Sequence, residues 1–263
     1  QKFYNFAKQI FLMSLILKNV NLFSYKFNEI WVGNILIDKN ANKKILYSKE
    51  IGDLLDKTNE PDIIDCNGLL IMPAYFNAHF HSQRYFADLI ATEENKIGLQ
   101  KLDDIYAPLE KIWDAELLEA AALYSAIRLL KNGTTQVIDM LYGPSMISFD
   151  NLKLIYDTYR RVGVNVIPVV AITDKYGFGI ADNLLDVTEK WLKSQKGFIG
   201  LDHLFNIGTG TLTEVKRLEE KFKCGIYGHL AEYAFDQAHS IEKYKMSVVE
   251  RLDSLGLINN SKN

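Results

Sequence analysis

The chain has 263 residues, 48% of them hydrophobic and 24% charged, which is the composition of a globular protein with a buried core. Its formal net charge of -3 provides no basic field to attract nucleic acid or an acidic membrane, so we expect neither as a partner. The two cysteines, Cys66 and Cys224, form no metal-binding or disulfide-rich pattern, which indicates a reducing cytoplasm. The apolar run from Ile10 to Leu17 is shorter than the roughly 20 residues that cross a bilayer.

The beginning of the chain shows two patterns. Residues 1–12 are interpreted as an extension or tag ahead of Met13, where we expect the natural start. A short amphipathic helix is the alternative, because Phe3, Phe6 and Ile10 recur at helical spacing. Residues 13–68 then contain short β-prone runs separated by Asn, Lys, Asp and Gly, which predict a small β-rich module.

From residue 69 onward, apolar runs alternate with amphipathic stretches of helical period, which predicts repeated βα units with parallel strands. Gly133 and Gly163 follow two of the helical stretches, where a left-handed residue ends a helix, and Thr211 and Thr213 are candidate N-caps of a later one. The pattern contains about five units, whereas a closed β/α barrel has eight. An open sheet leaves two exposed edges, so we expect these residues to be an incomplete domain.

Two histidines follow the first apolar run of this series. In a strand, residues two apart point to the same side, so His79 and His81 are expected to project together at the carboxyl end. Barrel enzymes place their sites at that end, and imidazole is the commonest metal ligand in proteins. A His-x-His pair also occurs as two partly buried polar residues, and that alternative stays open at this point.

A third histidine strengthens the prediction of a metal site. His229 ends the fifth apolar run, so its side chain is expected at the same mouth as the first two. Three imidazoles from two parallel strands form a zinc-like set that leaves one coordination position for water. Glu232 lies three residues later, where a carboxylate can transfer protons; the alternative is a charge that favours the start of the next helix.

Three segments together resemble a known family. They are GLLIMPAYFNAHFH at residues 68–81, KNGTT at 131–135 and HLAE at 229–232. With these segments the sequence resembles the amidohydrolase superfamily, and more closely its aminohydrolase branch, which includes guanine and cytosine deaminases, adenosyl-homocysteine-type deaminases and triazine hydrolases. The resemblance runs from about Leu15 to Leu257 and corresponds to the N-terminal two-thirds of a family member. Ala74 stands where the family usually has glycine.

The resemblance implies an α/β fold, a (β/α)8 metal-dependent hydrolase (TIM) barrel that is incomplete here. Residues 69–263 would form its first five units, and residues 13–68 the N-terminal part of a β-sandwich. It also implies that His79, His81 and His229 bind the metal and that Glu232 is the acid/base. The family has a further histidine at strand six and an aspartate at strand eight, neither of which this sequence contains, so we expect the 263 residues alone to be inactive.

The family pattern also bears on the cofactor. Two-metal members use a bridging carboxylate, often on a modified lysine of strand four, and residues 198–206 contain no lysine. We therefore expect one divalent metal, either Zn²⁺ or Fe²⁺, because an all-nitrogen set suits both, and Zn²⁺ is the first expectation. Related enzymes are often dimers or larger, so a homo-oligomer is expected as well.

Five further residues are candidates with a structural alternative. His203 matches a substrate-facing histidine of related enzymes, or is hydrogen-bonded beside Asp202. Gln83, like its neighbour Arg84, is predicted to contact substrate or to lie in a solvated loop. Asp139 and Asp174 end strands two and three, where each holds a histidine nitrogen or caps a loop. His239 is expected at the surface.

The preferred hypothesis is a metal-dependent aminohydrolase that removes ammonia from an amidine carbon of a small aminated heterocycle of the purine, pyrimidine or triazine type. One alternative is a non-catalytic chain that lacks the strand-six histidine and strand-eight aspartate. Another is a cyclic amide hydrolase, which the first motif also permits.

Gly208 to Thr211 is interpreted as a turn because it lacks the remainder of a phosphate-binding signature. The sequence contains no Gly-x-Ser-x-Gly, which excludes a hydrolase of the nucleophile-elbow type.

Overall fold

The computed structural model describes residues 14–24, 28–38, 44–90, 102–177 and 179–258. The chain divides into two compact units, Gln1–Pro73 and Ala74–Asn263. This division falls shortly after the predicted boundary at residue 68. The predicted extension at residues 1–12 lies outside the described residues.

The first unit is built on a five-stranded sheet. Its strands are β1 (Leu15–Ser24), β2 (Glu29–Asp38), β3 (Lys44–Ser48), β4 (Asp62–Asp65) and β5 (Leu70–Ile71), and the short helix α1 (Gly52–Leu55) lies between β3 and β4. β2 pairs antiparallel with both β1 and β3, and the other edge of β1 pairs parallel with β4 and then β5. The assignment of this unit to a β-sandwich stays a prediction.

Small apolar clusters cover both faces of this sheet. Ile35 and Leu36 are adjacent in β2 and therefore point to opposite faces. Leu36 packs with Ile16 and Leu54, whereas Ile35 packs with Val20 and Cys66. Because successive side chains of a strand point to opposite faces of the sheet, neighbouring apolar residues belong to two different clusters.

Leu70 and Ile71 were grouped by sequence with the first barrel strand, and the structure places them in the first unit instead. They pair with Asn21 and Leu22 of β1. Proline has no amide hydrogen to donate to a strand ladder, so Pro73 is a natural interruption between β5 and the next strand. The run that the sequence analysis treated as one element is therefore two.

The second unit alternates strands and helices. Its strands are β6 (Tyr75–Phe80), β7 (Thr134–Leu141), β8 (Asn165–Ile172), β9 (Ile199–Leu201) and β10 (Ile226–Gly228). Its helices are α2 (Ser82–Ile90), α3 (Ala107–Leu109), α4 (Ala115–Lys131), α5 (Phe149–Val162), α6 (Ile180–Ser194), α7 (Thr209–Phe222), α8 (Ala234–Tyr244) and α9 (Val248–Ser254). A π-helical turn, Leu102–Tyr106, precedes α3, and 3₁₀ turns occupy Pro144–Ile147 and Leu204–Asn206.

Among the described residues of this unit, five strands form one parallel sheet in the order β10-β9-β8-β7-β6. Strands that follow each other in the sequence are therefore neighbours in space. A doubly wound sheet would instead reverse its order at an internal strand. Sequential parallel order with a helix in each connection is the arrangement of a β/α barrel.

The sheet is strongly curled. In a flat sheet, β6 and β10 would lie about 19 Å apart, because four inter-strand spacings of about 4.8 Å separate them. Yet the hydroxyl of Tyr227 on β10 donates a hydrogen bond of 2.8 Å to the carbonyl oxygen of Ala78 on β6. The two end strands therefore face each other across a half-barrel.

The two faces of the curled sheet differ in what covers them. The main core lies between the sheet and its helices and includes Val137, Leu141, Val170 and Ile172. On the opposite, concave face, Met140, Tyr142 and Ala171 form a small separate cluster. Residues at the carboxyl ends of the strands thus line the inside of the half-barrel, where the candidate site lies.

The predicted helix ends are correct at two glycines and wrong at two threonines. Gly133 follows α4 and has a left-handed φ of 76°, as the sequence predicted. Gly163 ends α5 in the left-handed conformation, with φ of 102°, as the sequence predicted. Thr211 and Thr213 were predicted as N-caps, but α7 begins earlier, and its N-cap is Gly208. The hydroxyl of Thr211 donates instead to Asp174, which also accepts the amide hydrogen of Gly208. A carboxylate that follows β8 thus caps the start of α7.

Among the described residues, no helix has both the length and the apolar character to cross a membrane.

Candidate metal centre

Three histidines converge inside the half-barrel. His79 lies in β6, His81 directly follows it, and His229 directly follows β10. The Nε2 atom of His229 lies 3.1 Å from Nε2 of His79 and 3.2 Å from Nε2 of His81. All three ligand atoms lie within 4.8 Å of one another. The structure thus brings together the three residues that the sequence predicted as metal ligands.

The spacing of these nitrogens fits a shared cation. Around tetrahedral Zn²⁺, with Zn–N bonds of about 2.0–2.1 Å, two donor nitrogens lie about 3.3 Å apart. The observed separations of 3.1 and 3.2 Å are close to this value. A neutral ring nitrogen has either one lone pair or one hydrogen in the ring plane. His229 Nε2 therefore cannot satisfy both neighbours by hydrogen bonding, whereas one cation would satisfy all three.

The second nitrogen of each ring has a partner within the protein. His79 Nδ1 contacts the hydroxyl of Tyr227, and His229 Nδ1 lies 3.1 Å from the hydroxyl of Tyr142. His81 Nδ1 lies 3.0 Å from the carbonyl oxygen of Met140, which can only accept, so this nitrogen carries the hydrogen. The Nε2 atom of His81 consequently presents a lone pair to the cluster. Partners of this kind orient metal-binding histidines in general.

The cluster disfavours protonation of its own rings. Burial lowers the pKa of His81 to about 2, and the positive charge of Arg84 acts in the same direction. Burial also lowers the pKa of His229 to about 4, and it lowers the pKa of His79. Neutral imidazole is the form that binds metals, so the rings are in the binding form at neutral pH.

A second group of ligand atoms adjoins the first. His203 follows β9, is only 3% exposed, and stacks on the ring of His229 at a centroid distance of 5.1 Å. Its Nε2 lies 3.7 Å from Oε2 of Glu232, and its Nδ1 lies 3.9 Å from Oδ2 of Asp236. Among the described residues, neither ring nitrogen of His203 has a hydrogen-bond partner. The alternative of a hydrogen-bonded histidine beside Asp202 therefore finds no hydrogen bond in this part of the chain, and substrate contact by His203 stays a prediction.

Glu232 lies at the open side of this group. Its side chain is 40% exposed, and it precedes α8, whose N-cap is Tyr233. His203, His229 and Glu232 each place one ligand atom within 4.8 Å of the others. The carboxylate thus lies next to the cluster and in contact with solvent, which is a suitable position for proton transfer.

Gln83 is buried beside the end of β7, which contradicts one of its two expected positions, the solvated loop. It is 3% exposed, so it does not lie in a solvated loop. Its Nε2 donates to the carbonyl oxygen of Tyr142, and its Oε1 accepts the amide hydrogen of the same residue. The side-chain amide therefore continues the strand ladder past the end of β7. Substrate contact by Gln83 stays a prediction.

Its neighbour Arg84 lies in a buried ionic group. The guanidinium lies 4.1 Å above the ring of Tyr142 and 3.8 Å from Oε1 of Glu110. Lys175 pairs with the other carboxylate oxygen of Glu110 at 2.7 Å. This group packs behind Tyr142 and supplies the positive charge that disfavours protonation of His81.

The two strand-end aspartates cap backbone groups. Asp139 is fully buried, accepts the amide hydrogen of Ser82 and the hydroxyl hydrogen of Tyr159, and has its pKa raised to about 6 by burial. It holds the backbone directly after His81 rather than a histidine ring. Asp174 caps the start of α7 through Gly208.

His239, which was expected at the surface, is only partly exposed. The residue is half-buried, and its Nε2 has no solvent contact. Its ring packs against Phe205, Phe235 and Tyr244. The polar neighbours of His239 in the sequence suggested an exposed position, but α8 turns this side chain toward the aromatic residues.

Two tyrosines that were not among the predicted site residues contact the histidines. Tyr227 lies two residues before His229, so the same strand periodicity that paired His79 with His81 would have placed it on the same side. Tyr142 directly follows β7 and is 1% exposed. No comparable sequence signal distinguishes Tyr142 from an ordinary core aromatic residue.

Comparison with known proteins supports the predicted resemblance. No family model matches the chain. The chain is 25% identical over 255 residues to the 5-methylthioadenosine/S-adenosylhomocysteine deaminase of Caldanaerobacter subterraneus subsp. tengcongensis, covering 93% of this chain and 55% of that protein. The chain spans about half the length of the curated relatives it matches. Over this part, the resemblance to the aminohydrolase branch of the amidohydrolase superfamily is confirmed.

Solved structures confirm the fold. The guanine deaminase from C. acetobutylicum with bound guanine superposes with a TM-score of 0.77 at 19% identity, covering 94% of this chain and 61% of that chain. An adenosine deaminase from Xanthomonas campestris with bound zinc gives a TM-score of 0.75 at 16% identity, covering 93% and 55%. The predicted incomplete barrel of the (β/α)8 type is therefore confirmed.

Proposed function

We propose that the chain carries the metal centre of a metal-dependent aminohydrolase, which removes ammonia from an amidine carbon of an aminated heterocycle. The observation that carries the proposal is the convergence of three Nε2 atoms, two pairs of which lie 3.1 and 3.2 Å apart. We infer a single divalent cation held by His79, His81 and His229. Zn²⁺ is the preferred ion because three imidazoles form a common catalytic zinc set, and Fe²⁺ is the alternative.

A divalent cation held by these residues would lower the pKa of a coordinated water molecule, so that hydroxide would be available as the nucleophile at neutral pH. The other groups of the site are inferred to act on the heterocycle. Glu232, next to the cluster and open to solvent, carries a proton to the ring nitrogen and then to the departing amine. His203, whose two ring nitrogens have no hydrogen-bond partner among the described residues, is inferred to bind and orient the heterocycle.

The relatives suggest the substrate class. Those compared above are named as deaminases of 5-methylthioadenosine and S-adenosylhomocysteine, of guanine and of adenosine. We therefore propose a purine or purine nucleoside as the first substrate to test, followed by pyrimidines and triazines. The two free cysteines, Cys66 and Cys224, support a cytoplasmic location.

Metal content after dialysis tests the ligand assignment. The wild-type chain is expected to retain about one equivalent of Zn²⁺, and His79→Ala is expected to lose it because two imidazoles bind a cation far more weakly than three. His239→Ala is the matched control, since this half-buried histidine lies outside the cluster. Equal metal content in the wild type and His79→Ala would refute the assignment.

Ammonia release from a panel of aminated heterocycles tests the reaction. In the protein that contains this chain, Glu232→Gln is expected to lower the rate by about 10²–10⁴-fold with its metal content unchanged, because an amide cannot carry the proton. The inactivity of the 263 residues alone stays a prediction, which the same assay measures. A metal-loaded protein that releases no ammonia would favour the non-catalytic alternative, and one that opens cyclic amides instead would favour the cyclic amide hydrolase.

A further inference from the structure

The hydroxyl of Tyr227 makes two contacts at once, and each restricts where hydrogens can lie. It donates to the carbonyl oxygen of Ala78 at 2.8 Å, and it also contacts Nδ1 of His79. A phenol has one hydrogen and a carbonyl oxygen has none. A phenol has an ordinary pKa of about 10, so the hydroxyl carries its hydrogen at neutral pH.

Only one assignment of hydrogens satisfies both contacts. If the tyrosine donated to His79 Nδ1, its oxygen and the oxygen of Ala78 would face each other as two acceptors at 2.8 Å. If the tyrosine donates to Ala78, its oxygen can accept a hydrogen from Nδ1 of His79. The second assignment leaves Nε2 of His79 with a lone pair directed at His229.

We propose that Tyr227 is a positioning residue that fixes the Nδ1–H tautomer of His79 and thereby prepares Nε2 as a metal ligand. The inference rests on the metal-centre part of the proposed function. The backbone of β10 also places Tyr227 two residues before His229, so one strand end carries both a ligand and the group that orients the ligand across the half-barrel.

The other two histidines provide internal comparisons. Nδ1 of His81 is held by the carbonyl oxygen of Met140, a backbone atom that no side-chain substitution removes. Nδ1 of His229 meets the hydroxyl of Tyr142, which lies 3.5 Å from the sulfur of Met140, a weak acceptor. The hydroxyl hydrogen of Tyr142 can therefore point to either neighbour, and the positioning role is assigned to Tyr227 alone.

Removing the Tyr227 hydroxyl frees His79 to exchange tautomers and to rotate. Loss of such an orienting partner typically lowers metal affinity by about 10- to 100-fold. We expect this loss in Tyr227→Phe, which keeps the aromatic ring and its packing on Phe198. Tyr156→Phe is the matched control, because this half-buried tyrosine of α5 packs on Trp191 in the helical layer.

The first measurement is nitrogen NMR of the histidine rings in the metal-free protein at alkaline pH. The wild type is expected to show His79 with hydrogen on Nδ1, whereas Tyr227→Phe shows a mixture of both tautomers. His81 keeps its spectrum in every variant, and Tyr156→Phe resembles the wild type throughout. A wild-type His79 with hydrogen on Nε2 would overturn the inference, and this result does not require the variant to fold.

The second measurement is Zn²⁺ affinity by competition with a chelator. Tyr227→Phe is expected to bind about 10- to 100-fold more weakly than the wild type and Tyr156→Phe. Unchanged affinity together with an unchanged His79 tautomer would reject the role of Tyr227 while leaving the metal centre intact. If the wild type binds no Zn²⁺, the metal proposal fails, and the spectra of the metal-free protein still decide the tautomer.

Discussion

The pH dependence of Zn²⁺ affinity tests whether burial keeps the rings of the histidine cluster unprotonated. Protons compete with a metal for imidazole, so metal affinity normally falls as pH drops below the imidazole pKa. In this protein, burial lowers the pKa of His81 to about 2 and that of His229 to about 4, from an ordinary value of 6.5. Both rings therefore remain neutral in mildly acidic solution, and the cluster is expected to lose far less Zn²⁺ affinity there than three ordinary imidazoles would.

The size of the difference follows from proton competition. For a ring with a pKa of 6.5, lowering the pH from about 7.5 to about 5.5 reduces the neutral fraction about tenfold. Three such rings would lose about 1,000-fold in affinity, or about 4 kcal/mol. The lowered pKa values remove this loss for His81 and His229. The pKa of His79 is also lowered, so protonation of this ring reduces the Zn²⁺ affinity by less than about tenfold. Tenfold is therefore the upper limit of the loss expected for the whole cluster.

Competition with a chelator of known proton affinity measures Zn²⁺ binding at both pH values. The histidine pKa values are lower in the folded protein than in the unfolded chain. At a pH between the two values, the unfolded chain binds more protons than the folded protein, so the metal-free protein becomes less stable in acid. Circular dichroism at each pH therefore serves as the control for folding. A loss near 1,000-fold in a protein that remains folded would show that the rings titrate like free imidazole and would contradict the reasoning.

Two further predictions concern stability, and urea denaturation measures both. Gly200→Ala is expected to destabilise the protein by about 1–3 kcal/mol, because its Cβ would lie 2.2 Å from the carbonyl oxygen of Val170 in the adjacent strand. Gly210→Ala, whose Cβ meets no atom within 4 Å in α7, is the control and is expected to be neutral or slightly stabilising; equal midpoints for the two variants would contradict this. Asp174→Ala removes the capping acceptor of α7 and is expected to cost about 0.5–2 kcal/mol, so an unchanged midpoint would argue against a capping role.

Local sequence patterns were sufficient for the barrel units. The alternation of apolar runs with amphipathic stretches predicted the parallel strands and their helices, because strands and helices impose different periods on buried residues. Gly163 marked a helix end because a left-handed backbone favours glycine. Leu70 and Ile71 belong to the same apolar run as the following strand, β6, so the sequence pattern did not separate β5 from β6.

Strand periodicity also explains which site residues could be paired in advance. His79 and His81 belong to one strand end, so their common direction follows from the backbone. The approach of His229 to both of them depends on how far the sheet curls, which is a property of all five strands and their packed helices. No single segment of the sequence encodes that distance.

The sequence by itself determined the βα order, the imidazole set and the resemblance to aminohydrolases. Only the tertiary structure decided the partners of the buried polar groups: Gln83 on the backbone of Tyr142, and Tyr227 between Ala78 and His79. The physical reason is that a hydrogen bond requires two groups within about 3 Å in the right orientation. For residues more than 50 positions apart in the chain, only the packed fold can establish that proximity.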